Sequence, residues 1–269
     1  MLRRSALTTA LAAVAACAVL LVGASRAPAG SGGPVMVDTL RVNTLTDPIG
    51  LGDPTPSLSW HLSSGRQTAY EIRAASSAAL LDHADLWDSG KVSSSDDTNI
   101  AYAGAALTSR EAVAWDVRVW DASGAPSDWS APATFEMGLL SNSDWSAKWI
   151  EDPDYSYATA GVPNPLPIFG KAFDPTGQVT KARLYMTGLG QYAAELNGQP
   201  VAKAVLEPGQ TSYWSEVDYR TYDVTPLLRQ GANVLGIETG SGAYQQADST
   251  SMGRYMFQPG NNTVLGPRR

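Results

Sequence analysis

The carboxylates could do the most chemistry in this chain, which carries 26 Asp and Glu among 269 residues. Acid–base cleavage of a glycosidic bond needs two of them on opposite sides of the scissile atom. Asp96 and Asp97 are adjacent in a serine-rich loop, so their side chains diverge. Glu136 and Asp144 flank a junction, and Asp152 and Asp154 share a loop with Tyr155 and Tyr157. Spacing sets no two of these at catalytic distance, and each reads as a solvated loop charge. The run Glu151-Asp152-Pro153-Asp154 could help hold calcium but falls short of a full oxygen set. Of the two histidines, His61 sits between Trp60 and Leu62, pointing outward, and His83 lies in a short helical segment. Neither has a partner at metal-ligand spacing. Gly240-Ser241-Gly242 is a turn without a following helix, no Gly-x-Ser-x-Gly elbow occurs, and no phosphate-binding glycine loop is present.

Aromatic residues are more suggestive: there are 8 Trp and 11 Tyr against 4 Phe. An apolar ring with a polar edge suits stacking on sugars, and it equally suits the core of a small β-sandwich. Trp60 and Trp115 fall on inward positions of alternating strands and belong to the core. Tyr155 and Tyr157 lie in a proline-rich loop, Tyr213 and Trp214 follow a glycine turn, and Tyr244 follows Gly242. These five form the candidate carbohydrate-binding set, with packing as the competing role for each. No metal or other cofactor is expected beyond the incomplete calcium run.

The elements that must position them read as β-structure. Leu58, Trp60 and Leu62 alternate with polar residues, as do Tyr70 and Ile72, and as do Val113, Trp115, Val117 and Val119. Such period-two runs, separated by glycine turns, mark half-buried antiparallel strands. Only the stretch Ser76–Leu86 looks helical. Residues 38–140 are expected to form an immunoglobulin or fibronectin type III-like sandwich. Residues 141–166 read as a junction loop. Residues 167–269 show about six strand candidates against about eight in a complete jelly roll, so an incomplete jelly roll is expected there. Asn197-Gly198 between two alternating runs is a hairpin signal.

At the N-terminus, Arg3 and Arg4, a short apolar run and small residues read as a signal peptide over 1–29, followed by a linker over 30–37. The run is shorter than the ~20 residues a membrane span needs. A secreted chain without a membrane anchor is therefore expected. The lone cysteine, Cys17, lies within that leader, which leaves the mature chain without disulfides. The net charge of −7 and the lack of a basic stripe argue against nucleic acid as a partner.

Several motifs go further. The stretches DPIGLGDPTPSLSWHL, RQTAYEIRAAS, LWDSGKVSS, AWDVRVWDASGAPSDWSAPATFEMGLL and DWSAKWI come first in order. KARLYMTGLGQYAAELNGQPV, VLEPGQTSYWSEVDYRTYDVTPLLRQGANVLGIETGSGAYQ and MGRYMFQP follow. Together they resemble the N-terminal region of bacterial α-L-rhamnosidases, glycoside hydrolases that remove terminal rhamnose. The resemblance implies a fibronectin-like module, then a jelly roll similar to galactose-binding domains. Catalysis in that family lies in a downstream (α/α)6 barrel with a carboxylate acid and base, so the resemblance assigns no catalytic residue here. The implied role is non-catalytic and accessory, supporting or positioning rhamnose-containing glycan, with no activity expected of the chain alone. A free-standing secreted carbohydrate-binding or adhesion module is the alternative.

Overall fold

The computed structural model describes residues 35–153, 166–213, 215–240 and 242. The leader and most of the linker lie outside them. The structure is nearly all β, as the alternation requires.

In the first module eight strands follow in order: β1 (Met36–Val42), β2 (Ile49–Leu51), β3 (Ser57–Ser64), β4 (Ala69–Ala75), β5 (Trp87–Asp88), β6 (Ile100–Ala101), β7 (Ala112–Trp120) and β8 (Ala133–Met137). They form a three-stranded sheet, β1-β3-β6, and a five-stranded sheet, β2-β8-β7-β4-β5. Leu58 and Trp60 of one sheet pack with Ile72, Trp115, Val117 and Phe135 of the other in one core. This is the inward set that the alternation marks. The expected helical segment is a 3-10 helix over Ala78–His83. It buries Leu81 against Ala75 and Ala114 on the outer face of the five-stranded sheet.

The rest of that outer face is closed by charge and rings. Arg73 forks onto Asp116, Nε to Oδ1 at 3.1 Å and Nη2 to Oδ2 at 2.7 Å. The same guanidinium lies 3.6 Å from the Trp129 ring centroid. Arg118 pairs with Glu71 at 2.7 Å and stands over both Trp120 and Trp129. Burial raises the Asp116 carboxyl above its ordinary value, and the Arg73 hydrogen bonds oppose that rise. An outward strand position can thus carry a buried charge when a planar cation covers it.

Six strands follow among the described residues of the second module: β9 (Ile168–Phe173), β10 (Arg183–Met186), β11 (Gln191–Leu196), β12 (Gln199–Pro200), β13 (Arg220–Asp223) and β14 (Asn233–Gly240). They form a four-stranded sheet, β12-β11-β14-β9, and a two-stranded sheet, β10-β13. Tyr192, Ala194 and Leu196 alternate inward from β11 and meet Met186, Tyr222 and Val224. After the hairpin, the stretch 199–208 keeps a strand at Gln199–Pro200 alone. Pro200 has no N–H, Ala and Lys favour strands weakly, and Leu206 turns the chain at φ +62°. Within the stretch 216–225 the strand covers Arg220–Asp223. A 3-10 turn follows over Thr225–Leu227.

β11 and β12 are joined at Asn197 and Gly198, whose φ values are +57° and +75°. Two left-handed residues in a two-residue loop match the twist of the strands on either side.

Candidate functional sites

The expected sugar-binding set is only partly described. Tyr155, Tyr157, Trp214 and Tyr244 lie outside the described residues. Tyr213 is half-buried rather than displayed. Burial raises its phenol pKa, and a backbone hydrogen bond at Gly190 opposes that rise. Gly242 closes on the same spot, since a Cβ there would meet the Gly190 Cα at 3.1 Å. The structure therefore brings Tyr213, Gly190 and Gly242 to one end of the second module.

Beside this end lies a polar cluster that the sequence did not announce. The Tyr222 hydroxyl donates to Glu207 Oε2 at 2.5 Å. Its oxygen lies 2.9 Å from the Tyr192 hydroxyl, which also reaches the Met186 carbonyl at 3.2 Å. Arg220 Nε stands 3.6 Å from Glu207 Oε1. Burial raises the Tyr192 phenol to about 12 and raises Tyr222 as well, aided by Glu207 and Tyr192. Phenols held this high stay protonated near neutrality, so they can donate hydrogen bonds but cannot act as bases. Among the described residues the cluster holds one carboxylate, short of the pair needed for glycosidic cleavage. It ties the loop after β12 to the core, because Tyr192 N also donates to the Glu207 carbonyl at 2.9 Å.

A second convergence lies between the modules. Glu136 on β8 is buried, contrary to its reading as a solvated loop charge. Arg183 of β10 forks onto it at 3.2 and 3.1 Å, and Lys181 Nζ reaches it at 2.7 Å. Arg183 Nη1 also pairs with Asp223 at 2.8 Å. The Tyr219 hydroxyl accepts from Leu139 N at 2.6 Å and donates to the Leu139 carbonyl at 3.3 Å. Its ring packs near Trp145 and Tyr185, and Arg110 stands 5.6 Å from the Tyr185 ring. Gly50 and Gly138 let the backbones close, since a Cβ on either would collide with Thr221 or Tyr219. The outer face of β10-β13 is thus the seam with the first module.

Sequence reasoning missed this seam, although a signal existed. Glu136 is the one charge in β8, set between the apolar Phe135 and Met137, and Lys181 and Arg183 share a face two residues apart. Asp144, also read as solvated, accepts from Ser109 and caps the 3-10 turn after Ser141. His61, exposed as expected, bonds Asp38 through Nδ1 at 2.7 Å. Among the described residues, no group of three or more His, Cys, Asp or Glu is placed to hold a metal ion.

Two β-sandwich modules clasped through a buried carboxylate define the class of this chain. Its residues 37–141 match the Rha78A-like, N-terminal immunoglobulin domain, and residues 177–265 match the α-L-rhamnosidase N-terminal domain. An α-L-rhamnosidase from Formosa agariphila is 40% identical over 205 residues, covering 73% of this chain and 22% of that protein. The α-L-rhamnosidase structure from Dictyoglumus thermophilum aligns with a TM-score of 0.71 at 35% identity, over 77% of this chain and 25% of that one. The Aspergillus terreus enzyme aligns with a TM-score of 0.68 at 30% identity, over 78% of this chain and 24% of that one. By both of its domains the chain belongs to the N-terminal region of the α-L-rhamnosidases, and it spans about a quarter of the length of these relatives.

Proposed function

We propose that this chain is the non-catalytic accessory portion of an α-L-rhamnosidase, supporting or positioning rhamnose-containing glycan for a hydrolase domain outside residues 1–269. The observation that carries this reading is the order of the two matched domains, 37–141 then 177–265, within relatives named as α-L-rhamnosidases. Glu207 is the one carboxylate of its phenol cluster among the described residues, which supports the non-catalytic part, since one carboxylate cannot supply both acid and base. The buried clasp at Glu136 supports the accessory part, because it joins the modules into a scaffold. The leader over 1–29 would carry this scaffold out of the cell.

The experiment is a domain exchange. Residues 37–265 replace the equivalent region of the Formosa agariphila relative, and hydrolysis of an aryl α-L-rhamnoside is measured beside that of the purified chain alone. The chimera is expected to be soluble and to turn over substrate, and the chain alone to be inactive. Turnover by the chain alone that disappears in Glu207→Gln would overturn the reading. So would a folded chimera that has lost activity.

A further inference from the structure

One Asn-Gly pair occurs in this chain, at Asn197 and Gly198 in the loop between β11 and β12. Gly198 is exposed, and nothing stands within 4 Å of the place where a Cβ would be. A backbone nitrogen without a Cβ beside it can approach the Cγ of the asparagine before it, and asparagine is among the heat-labile side chains. In the fold the carboxamide is held on other partners. Nδ2 donates to the Leu227 carbonyl at 2.9 Å and to Asn233 Oδ1 at 2.8 Å, and Oδ1 accepts from Val234 N at 3.0 Å. Asn233 is fully buried, its Nδ2 donates to the Arg229 and Gly231 carbonyls, and its Oδ1 also accepts from Arg229 N at 2.9 Å. Turning the Asn197 carboxamide toward Gly198 N breaks all three of its bonds and leaves Asn233 Oδ1 with one donor. Asn233 itself precedes the β-branched Val234, which shields the next nitrogen, so within this network the reaction belongs to Asn197.

We infer that Asn197 is a self-modification site, gated by this network and irreversible once used. When the network opens, Gly198 N gives its proton to solvent base and bonds to Asn197 Cγ. The Cγ–Nδ2 bond breaks, and Nδ2 leaves as ammonia with a proton from water. Water then opens the succinimide ring. Breaking the bond from Gly198 N to Cγ gives aspartate, and breaking the bond from Gly198 N to the Asn197 main-chain carbon gives isoaspartate. Neither product has a carboxamide N–H to donate. Aspartate sets a carboxylate against two acceptors, the Leu227 carbonyl and Asn233 Oδ1. Isoaspartate adds a methylene to the main chain between Leu196 and Gln199, which face each other across the turn. Either way the hairpin is cut loose from the 3-10 turn Thr225–Leu227 and from the start of β14.

The test uses the full chain, held in mildly alkaline buffer with and without denaturing urea. Conversion is read on the peptide that carries Asn197, by its mass and by separation of its aspartyl and isoaspartyl forms. The folded parent should convert at least about tenfold more slowly than the unfolded one, since three hydrogen bonds must break first. Asn233→Ala should convert at least about tenfold faster than the folded parent. Gly198→Ala should slow conversion in urea, because its Cβ crowds the attacking nitrogen. The parent comparison decides the matter whether or not Asn233→Ala folds. Chains converted in urea and returned to buffer should show amide exchange over residues 227–237 at least about tenfold faster than unconverted chains taken through the same steps. Equal conversion of the parent with and without urea would overturn the gating. No conversion in urea would overturn the site, and unchanged exchange in converted chains would show that the network re-forms.

Discussion

Arg183 and Glu136 stand 47 residues apart in sequence and meet as a two-bond fork between the modules, at 3.2 and 3.1 Å. The guanidinium and the carboxylate are 15% and 6% exposed, so neither group can fall back on water. Removing one partner of a buried pair strands the other charge, at about 3–5 kcal/mol. Arg183→Ala is expected to fall toward the lower end, because Lys181 still reaches Glu136. Glu136→Ala should cost more, leaving Arg183 with the half-exposed Asp223 and the Ala182 carbonyl. Calorimetry of the two variants and of the double variant checks this. The double variant should lose clearly less than the sum of the singles, and additive losses would contradict the clasp.

The Asn197 hairpin does two jobs that one substitution series separates. Its backbone needs a left-handed residue, and its side chain locks the turn to the next strand. Asn197 Nδ2 donates to the Leu227 carbonyl at 2.9 Å and to Asn233 Oδ1 at 2.8 Å, while Oδ1 accepts from Val234 N at 3.0 Å. Asn197→Gly keeps the backbone and loses these bonds, so a loss of about 1–3 kcal/mol is expected. Asn197→Asp should be worse than Asn197→Gly, because a carboxylate would face Asn233 Oδ1. Gly198→Ala tests the turn alone, at about 1 kcal/mol for a φ of +75°. Urea midpoints that place Asn197→Asp above Asn197→Gly would reverse the assignment.

Alkaline stability follows from the buried phenols. Burial lifts Tyr102 and Tyr192 to about 12, and Tyr222 is raised too. In the unfolded chain these groups ionise near the ordinary phenol value of 10.0. Between the two values the folded protein holds protons that the unfolded one releases, so stability is full below pH 10 and falls as pH rises above it. Melting temperature should therefore decline steeply from pH 10 upward, and less steeply in Tyr192→Phe. Phenolate absorbance should show a class of tyrosines that ionises only near pH 12 or on unfolding. A flat melting temperature between pH 9 and 11.5 would rule out the raised phenols.

Much of this fold was legible because period-two alternation survives wherever a strand has one wet face. Trp60, Trp115 and Val117 announce their burial that way, and Asn197-Gly198 announces its turn. The outer face of β7 was less legible. Asp116 and Arg118 look solvated until Arg73 and Trp129 arrive from other strands and loops. Glu136 failed for the same reason, since its partners come from the other module. The aromatic set was placed by exposure near glycines, a rule that cannot see Tyr213 folding back against Gly190. Long-range partners decide these cases, and local spacing does not contain them.

The seam also depends on the absence of two side chains. Gly138 abuts the Tyr219 hydroxyl, where a Cβ would collide, and its N–H donates to the Leu51 carbonyl at 2.7 Å. Gly138→Ala must therefore push Tyr219 off Leu139 or open the joint, at about 1–3 kcal/mol of overpacking. The clash is with the hydroxyl, which gives a specific rescue. Tyr219→Phe alone loses the bonds to Leu139 and should destabilise by about 1 kcal/mol. In that background Gly138→Ala meets less obstruction, so the double variant should be more stable than the sum of the single losses predicts. Chemical denaturation of the four proteins measures the coupling. A coupling of zero would mean that Gly138 is kept for its backbone alone, and that the hydroxyl of Tyr219 does not set the spacing of the seam.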